Sequence, residues 1–273
     1  MSYDLYLQLA PDAPSDIRER IATLLDADPD DEEFPYANEA TGVDALFALD
    51  DDLLTVTVNL NRPAFFIREV LDVVDEIHHE SPLRMADPAH QGEGEPPMIP
   101  YLRDTVHAHW QAANDWAWRA GAATTPIAPE RVMEDAALME SWRWNYTCEM
   151  TAQVWASMGQ EYERLPLVYI VHRGRAARLA QWTGAAAVLP HADVVYVACQ
   201  GREPCLVEHG ELLRRLGARA TPTEDGVQIV WDGMPGDITA FLQAQPAVSG
   251  QLHGLHASSL VEASVARRLA GGV

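Results

Sequence analysis

The chain has 273 residues, of which 48% are hydrophobic, and a formal net charge of -22. That is ample apolar material for one large core or two small ones, and it excludes an intrinsically disordered chain. No apolar run approaches the length of a membrane span, and so acidic a surface makes nucleic acid and anionic membrane poor partners, because their phosphates would be repelled.

In chain order, SYDLYLQLA alternates apolar and polar residues and predicts a first strand. The stretch has no basic flank and no cleavage site, so it does not read as a signal peptide, and a cytoplasmic protein is expected. Ser15 stands where a helix N-cap belongs, with Ile17, Ile21, Leu24 and Leu25 as the apolar stripe behind it. DADPDDEEFPYANE then reads as an acidic loop. Thr41 to Leu49 and Leu53 to Leu60 alternate as two further strands around the turn Asp50-Asp51-Asp52.

Asn61-Arg62-Pro63 follows. Proline cannot donate to a strand ladder and suits the first turn of a helix. The segment therefore reads as a strand end and a helix start, with Asn61 at or just before the N-cap. The helix is expected from about Ala64 to His79, with Phe66, Val70, Val73, Val74 and Ile77 inward, and Leu83 to Ala86 as a short fourth strand. This order of strands and helices is that of a split βαββαβ, ferredoxin-like unit.

Residues 87–100 are rich in Gly, Pro and charge and read as a linker. Two helices are expected next, over 101–119 and 129–158. The second carries Val132, Ala136, Met139, Trp142, Tyr146, Met150 and Val154 at helical spacing. Six of the eight Trp lie in this region, a pattern usual for packing residues. From Leu165 the pattern returns to strands (167–174, 177–184, 192–200, 226–233) and helices (209–218, 236–245). The fold class expected is α+β: two ferredoxin-like α/β halves, 1–100 and 164–273, joined by a Trp-rich helical connector, 101–163.

Chemistry is sparsely marked. The three cysteines, Cys148, Cys199 and Cys205, form no CxxC pair, so idle thiols in a reducing compartment are expected. His107 and His109 are two apart and point to different helix faces. His253 and His256 have a spacing that a metal would accept, but a glycine lies between them and no third ligand is nearby. There is no GxSxG, no HExxH and no glycine-rich phosphate loop. No catalytic residue, metal or cofactor is assigned. All 19 basic residues are Arg, which excludes a Schiff-base lysine and a phosphate-loop lysine.

Charge carries the strongest signal. Residues 1–100 hold 23 acidic residues against 5 Arg, whereas residues 164–273 are nearly balanced. Two exposed runs stand out: Asp28, Asp30, Asp31, Glu32 and Glu33, and the turn Asp50, Asp51 and Asp52. Carboxylates solvated in loops lack the pKa contrast that acid–base catalysis needs, and the calcium-loop spacing is absent. A docking patch for a basic protein is the functional reading of both runs.

SYDLY at the start, YANEATGV (36–43) and NLNRPAFF (59–66) together resemble an uncharacterised bacterial family of immunity-type, toxin-neighbourhood proteins that open on SYDLYF-like strands. The resemblance covers mainly the first 70 residues and brings no catalytic residues. It implies a small cytoplasmic protein that works by binding, here by neutralising a basic toxin or effector through an acidic surface. The alternative is a hydrolase-type enzyme with its site in a cleft between the halves, which would need histidines such as His253 and His256 to converge.

Overall fold

The structure is a computed structural model that describes residues 1–90, 93–157, 163–199, 201–224, 226–231 and 233–271, without the side chains of 149–157 and 163. Met150 and Val154 of the expected stripe, and Trp155, thus lie outside the described side chains. The chain forms two compact units: Met1–Ile127 with Val265–Val273, and Ala128–Ser264. The boundary falls inside the segment expected to be a connector, so its two helices belong to different units.

The first unit contains β1 (Ser2–Leu9), α1 (Ile17–Leu24), β2 (Glu33–Asn38), β3 (Val43–Asp50), β4 (Leu53–Asn59), α2 (Phe65–Glu80), β5 (Leu83–Ala86), β6 (Met98–Pro100) and α3 (Arg103–Ala122). Its strands make one antiparallel sheet in the order β2-β3-β4-β1-β5-β6. Alternation sets the register: Leu5 faces Val56 and Leu7 faces Leu54, and these four are buried with Phe47 on β3. A side chain of this size contributes about 1.5–3 kcal/mol when fully buried. The α2 stripe Phe66, Val70, Val74 and Ile77 is buried as its spacing predicts. α2 packs on β3 and β4 and also meets α1 and α3.

Three local expectations are corrected. Helix α1 begins at Ile17 behind Asp16, with no side-chain cap bond, so Ser15 is not its cap. Helix α2 begins at Phe65 behind Ala64, so Asn61 does not cap it. Glu33–Asn38, expected to be loop, is a strand at the sheet edge, where its proline and its charge are tolerated.

The second unit contains β7 (Val132–Met133), α4 (Asp135–Ser157), β8 (Glu163–Arg164), β9 (Leu167–His172), β10 (Arg175–Trp182), β11 (Ala187–Pro190), β12 (Val194–Val197), β13 (Cys205–Glu208), α5 (His209–Leu216), β14 (Ala220–Pro222), β15 (Gly226–Ile229), α6 (Gly236–Gln243), β16 (Gly254–Leu255) and β17 (Val261–Glu262). A final helix, α7 (Ala263–Ala270), follows, and its residues from Val265 count with the first unit. Strands β9 and β10 are joined through Arg173 and Gly174, both at positive φ, as a tight two-residue hairpin turn requires.

The strands of this unit form two main sheets, β13-β12-β10-β9-β16 and β14-β15-β11-β8. A single split βαββαβ sheet was expected. The difference comes from Ala187–Pro190, which is fully buried and pairs with β15. It draws the chain into a second sheet and returns it so that β12 lies parallel beside β10. The core includes Trp182, Leu189, Val195, Leu212, Ile229 and Leu242.

Candidate docking surface

The fold brings the two acidic runs to one end of the first sheet. Glu33 opens β2 opposite Ala48 of β3, and β3 turns into β4 through Asp51 and Asp52, with Asp50 paired to Leu53. Arg18 of α1 fastens the two runs together. Its Nε donates to Pro29 O at 2.7 Å, its Nη2 to Asp31 O at 2.5 Å and its Nη1 to Leu49 O at 3.0 Å. The guanidinium also lies over the Phe34 ring, 5.2 Å from its centre. Arg18 donates these bonds to main-chain carbonyls, so it organises the loop and sets one positive charge against the eight carboxylates.

The turns are locally fixed. Asp28 Oδ1 accepts from Asp30 N at 3.0 Å. Asp52 O accepts from Leu9 N at 2.8 Å, and Asp52 Oδ2 accepts from Gln8 Nε2 at 3.1 Å. Asp51 holds the turn at φ 51°. Asp28, Asp30, Asp31, Glu32, Glu33, Asp50, Asp51 and Asp52 are all exposed. Among the described residues none of the eight is in an ion pair. Like charges about 8 Å apart in water repel by about 0.5 kcal/mol per pair before screening. The surface therefore carries an electrostatic cost that a cationic partner would relieve.

Asn61-Arg62-Pro63 is built into the scaffold. Asn61 takes the left-handed conformation at φ 59°, which Asn tolerates. The Arg62 main chain is held by one amide: Arg62 N donates to Asn114 Oδ1 at 3.2 Å, and Asn114 Nδ2 donates to Arg62 O at 2.8 Å. The Arg62 guanidinium lies 5.8 Å from the Phe66 ring centre.

Among the described residues His253 and His256 join no cluster of metal-ligating side chains. His256 Nδ1 lies 2.6 Å from Ser258 Oγ within its own turn, and His253 contributes its carbonyl to Val171 N. His78 Nδ1 accepts from Leu83 N at 2.9 Å. Burial, then Arg68 and Arg103, lower the His107 pKa. Among the described residues there is no group of three or more metal-ligating side chains, and all three cysteines are free thiols.

Among the buried polar groups not singled out in the sequence are Glu69 and His209. Glu69, on the buried face of α2, accepts from Tyr36 Oη at 2.7 Å and from Thr41 Oγ1 at 2.9 Å. His209, at the start of α5, is 7% exposed and lies edge-on to His191, with ring centres 6.3 Å apart. Burial, His191 and Arg178 push its pKa down to about 4 against the pull of Asp193. Glu69 was legible, because it falls on the apolar stripe between Phe66 and Val73. His209 was not, because HGELLRRL reads as an ordinary polar helix start.

Comparison with protein-family models, curated proteins and solved structures finds no match to this chain.

Proposed function

We propose that the chain works by binding, as an immunity-type protein that neutralises a basic toxin or effector in the cytoplasm through the acidic end of its first sheet. The observation that carries this reading is the merging of Asp28–Glu33 and Asp50–Asp52 around Arg18 into one exposed surface whose eight carboxylates far outnumber that single cation. A preformed field of one sign speeds encounter with an opposite charge and selects against acidic partners. The strand order β3-β4-β1-β5, with a helix before β3 and another before β5, supports a ferredoxin-like first unit carrying this surface.

The test is a pull-down from native lysate at low and moderate salt, with the wild-type chain beside a variant in which the eight carboxylates become amides. The expected result is one basic protein, held by the wild type, released by salt and absent from the variant. Co-expression should also relieve any toxicity of that protein. Equal capture by both chains would overturn the assignment of the surface.

A further inference from the structure

A groove of about 520 Å³ runs between α1 and α2, on the helical side of the first unit. Its floor is apolar: Ile17 and Ile21 from one helix and Ile77 from the other, all buried. Leu24 continues the same stripe and is 43% exposed. The rim is acidic, with Asp16 and Glu19 on one side and Glu76 and Glu80 on the other. Arg20 is the single cation of the lining, and it is already shared between Asp16, at 3.0 Å, and Glu80, at 2.5 Å. Among the described residues Glu19 and Glu76 are in no ion pair.

Charge complementarity and shape together select one occupant. We infer that this groove receives a short amphipathic helix of the basic partner, its apolar side on Leu24 and the isoleucine floor and its Arg or Lys side chains on the two rims. A third helix fits because the site lies between two helices, whose side chains form ridges and grooves at helical spacing. Ile17, Ile21 and Leu24 follow an i, i+4, i+7 spacing and so lie along one face of α1, along which a ligand helix with anchors at the same spacing can lie. Helix α1 has 8 residues and so spans about 12 Å, room for about two turns of a ligand. Displacing Arg20 is cheap, because its pairs are about half exposed and such surface pairs are weak. Helix α1 serves both places: its apolar stripe lines the groove, and its Arg18 holds the acidic loop. The inference rests on the reading that the partner is basic, and it adds that the partner presents an apolar helical face.

The experiment uses a synthetic 12-residue amidated peptide with Leu at positions 2, 6 and 9 and Arg at most others, beside a scrambled isomer of equal charge. Titration into the full chain, followed by methyl NMR, reports both affinity and place. The expected result is binding about tenfold tighter than the scrambled isomer, with shifts at the methyls of Ile17, Ile21, Leu24 and Ile77. Leu24→Gln, at a partly exposed position, should remove most of that tenfold preference while leaving the fold intact. Glu19→Gln with Glu76→Gln should weaken both peptides and flatten their salt dependence. Equal binding of the two isomers, or shifts confined to Asp28–Glu33 and Asp50–Asp52, would overturn the groove while leaving the acidic docking surface standing. Absence of binding by either peptide would also overturn it. Loss of capture in the amide variant of the docking surface tests the other reading separately.

Discussion

The most informative single residue outside the docking surface is His209. Its imidazole is buried against His191 and Arg178, and its pKa lies near 4 instead of near 6.5. The folded state therefore resists the proton while the unfolded chain takes it up. The contribution of a neutral His209 is fully present above about pH 6.5 and is lost progressively as pH falls toward 4. The whole effect is of the order of 3 kcal/mol, at about 1.4 kcal/mol per pH unit. Urea unfolding of the wild type should lose stability over this window more steeply than His209→Gln, which cannot be charged. Parallel curves for the two chains would show that His209 is not the group responsible.

At the scale of elements, Asn114 holds the corner between β4 and α2. Its amide satisfies both main-chain groups of Arg62, a side chain acting as a strand would. Asn114→Leu keeps the branching and heavy-atom count but leaves that N–H and C=O without their partner, at a cost of roughly 2–3 kcal/mol. Asn61→Gly should shift stability by less than about 1 kcal/mol, because φ 59° suits glycine as well. Denaturant midpoints of the two variants test the pair; equal effects would deny Asn114 its role. Strands β3 and β4 and helices α2 and α3 were legible to within a few residues, because their apolar periods are long and regular. β2 was not, because an edge strand needs no continuous apolar face and EFPYAN carries a proline and a terminal charge. β11 was hidden for the opposite reason: AVLP, buried on every side, has no alternation to read. The docking surface was half legible. Both acidic runs are plain in the sequence, but only the pairing of β2 with β3 and the three bonds of Arg18 place them side by side. The α1–α2 groove was not legible, since its shape depends on how two separately read helices pack.

For the whole molecule, the uneven charge makes stability and binding oppose each other. Eight carboxylates at one sheet end repel one another in the free chain, and no ion pair among the described residues offsets them. Replacing them by amides should therefore stabilise the chain, a gain common where a site works against the fold that carries it. The gain has a salt signature. At about 0.01 M salt the screening length is about 30 Å and the whole cluster interacts; at 1 M it is about 3 Å and almost none of it does. The amide variant should unfold later than the wild type at low salt, by roughly 1–2 kcal/mol for a cluster of this size, and the two should converge at 1 M. Binding to the proposed basic partner should move the other way, the wild type losing affinity with salt until it resembles the variant. Thermal midpoints and association rates of both chains, measured across the same salt series, test the two trends together. A variant less stable than the wild type at low salt would mean that these carboxylates hold the fold, and the sheet end would then be scaffold and not a surface kept for a partner.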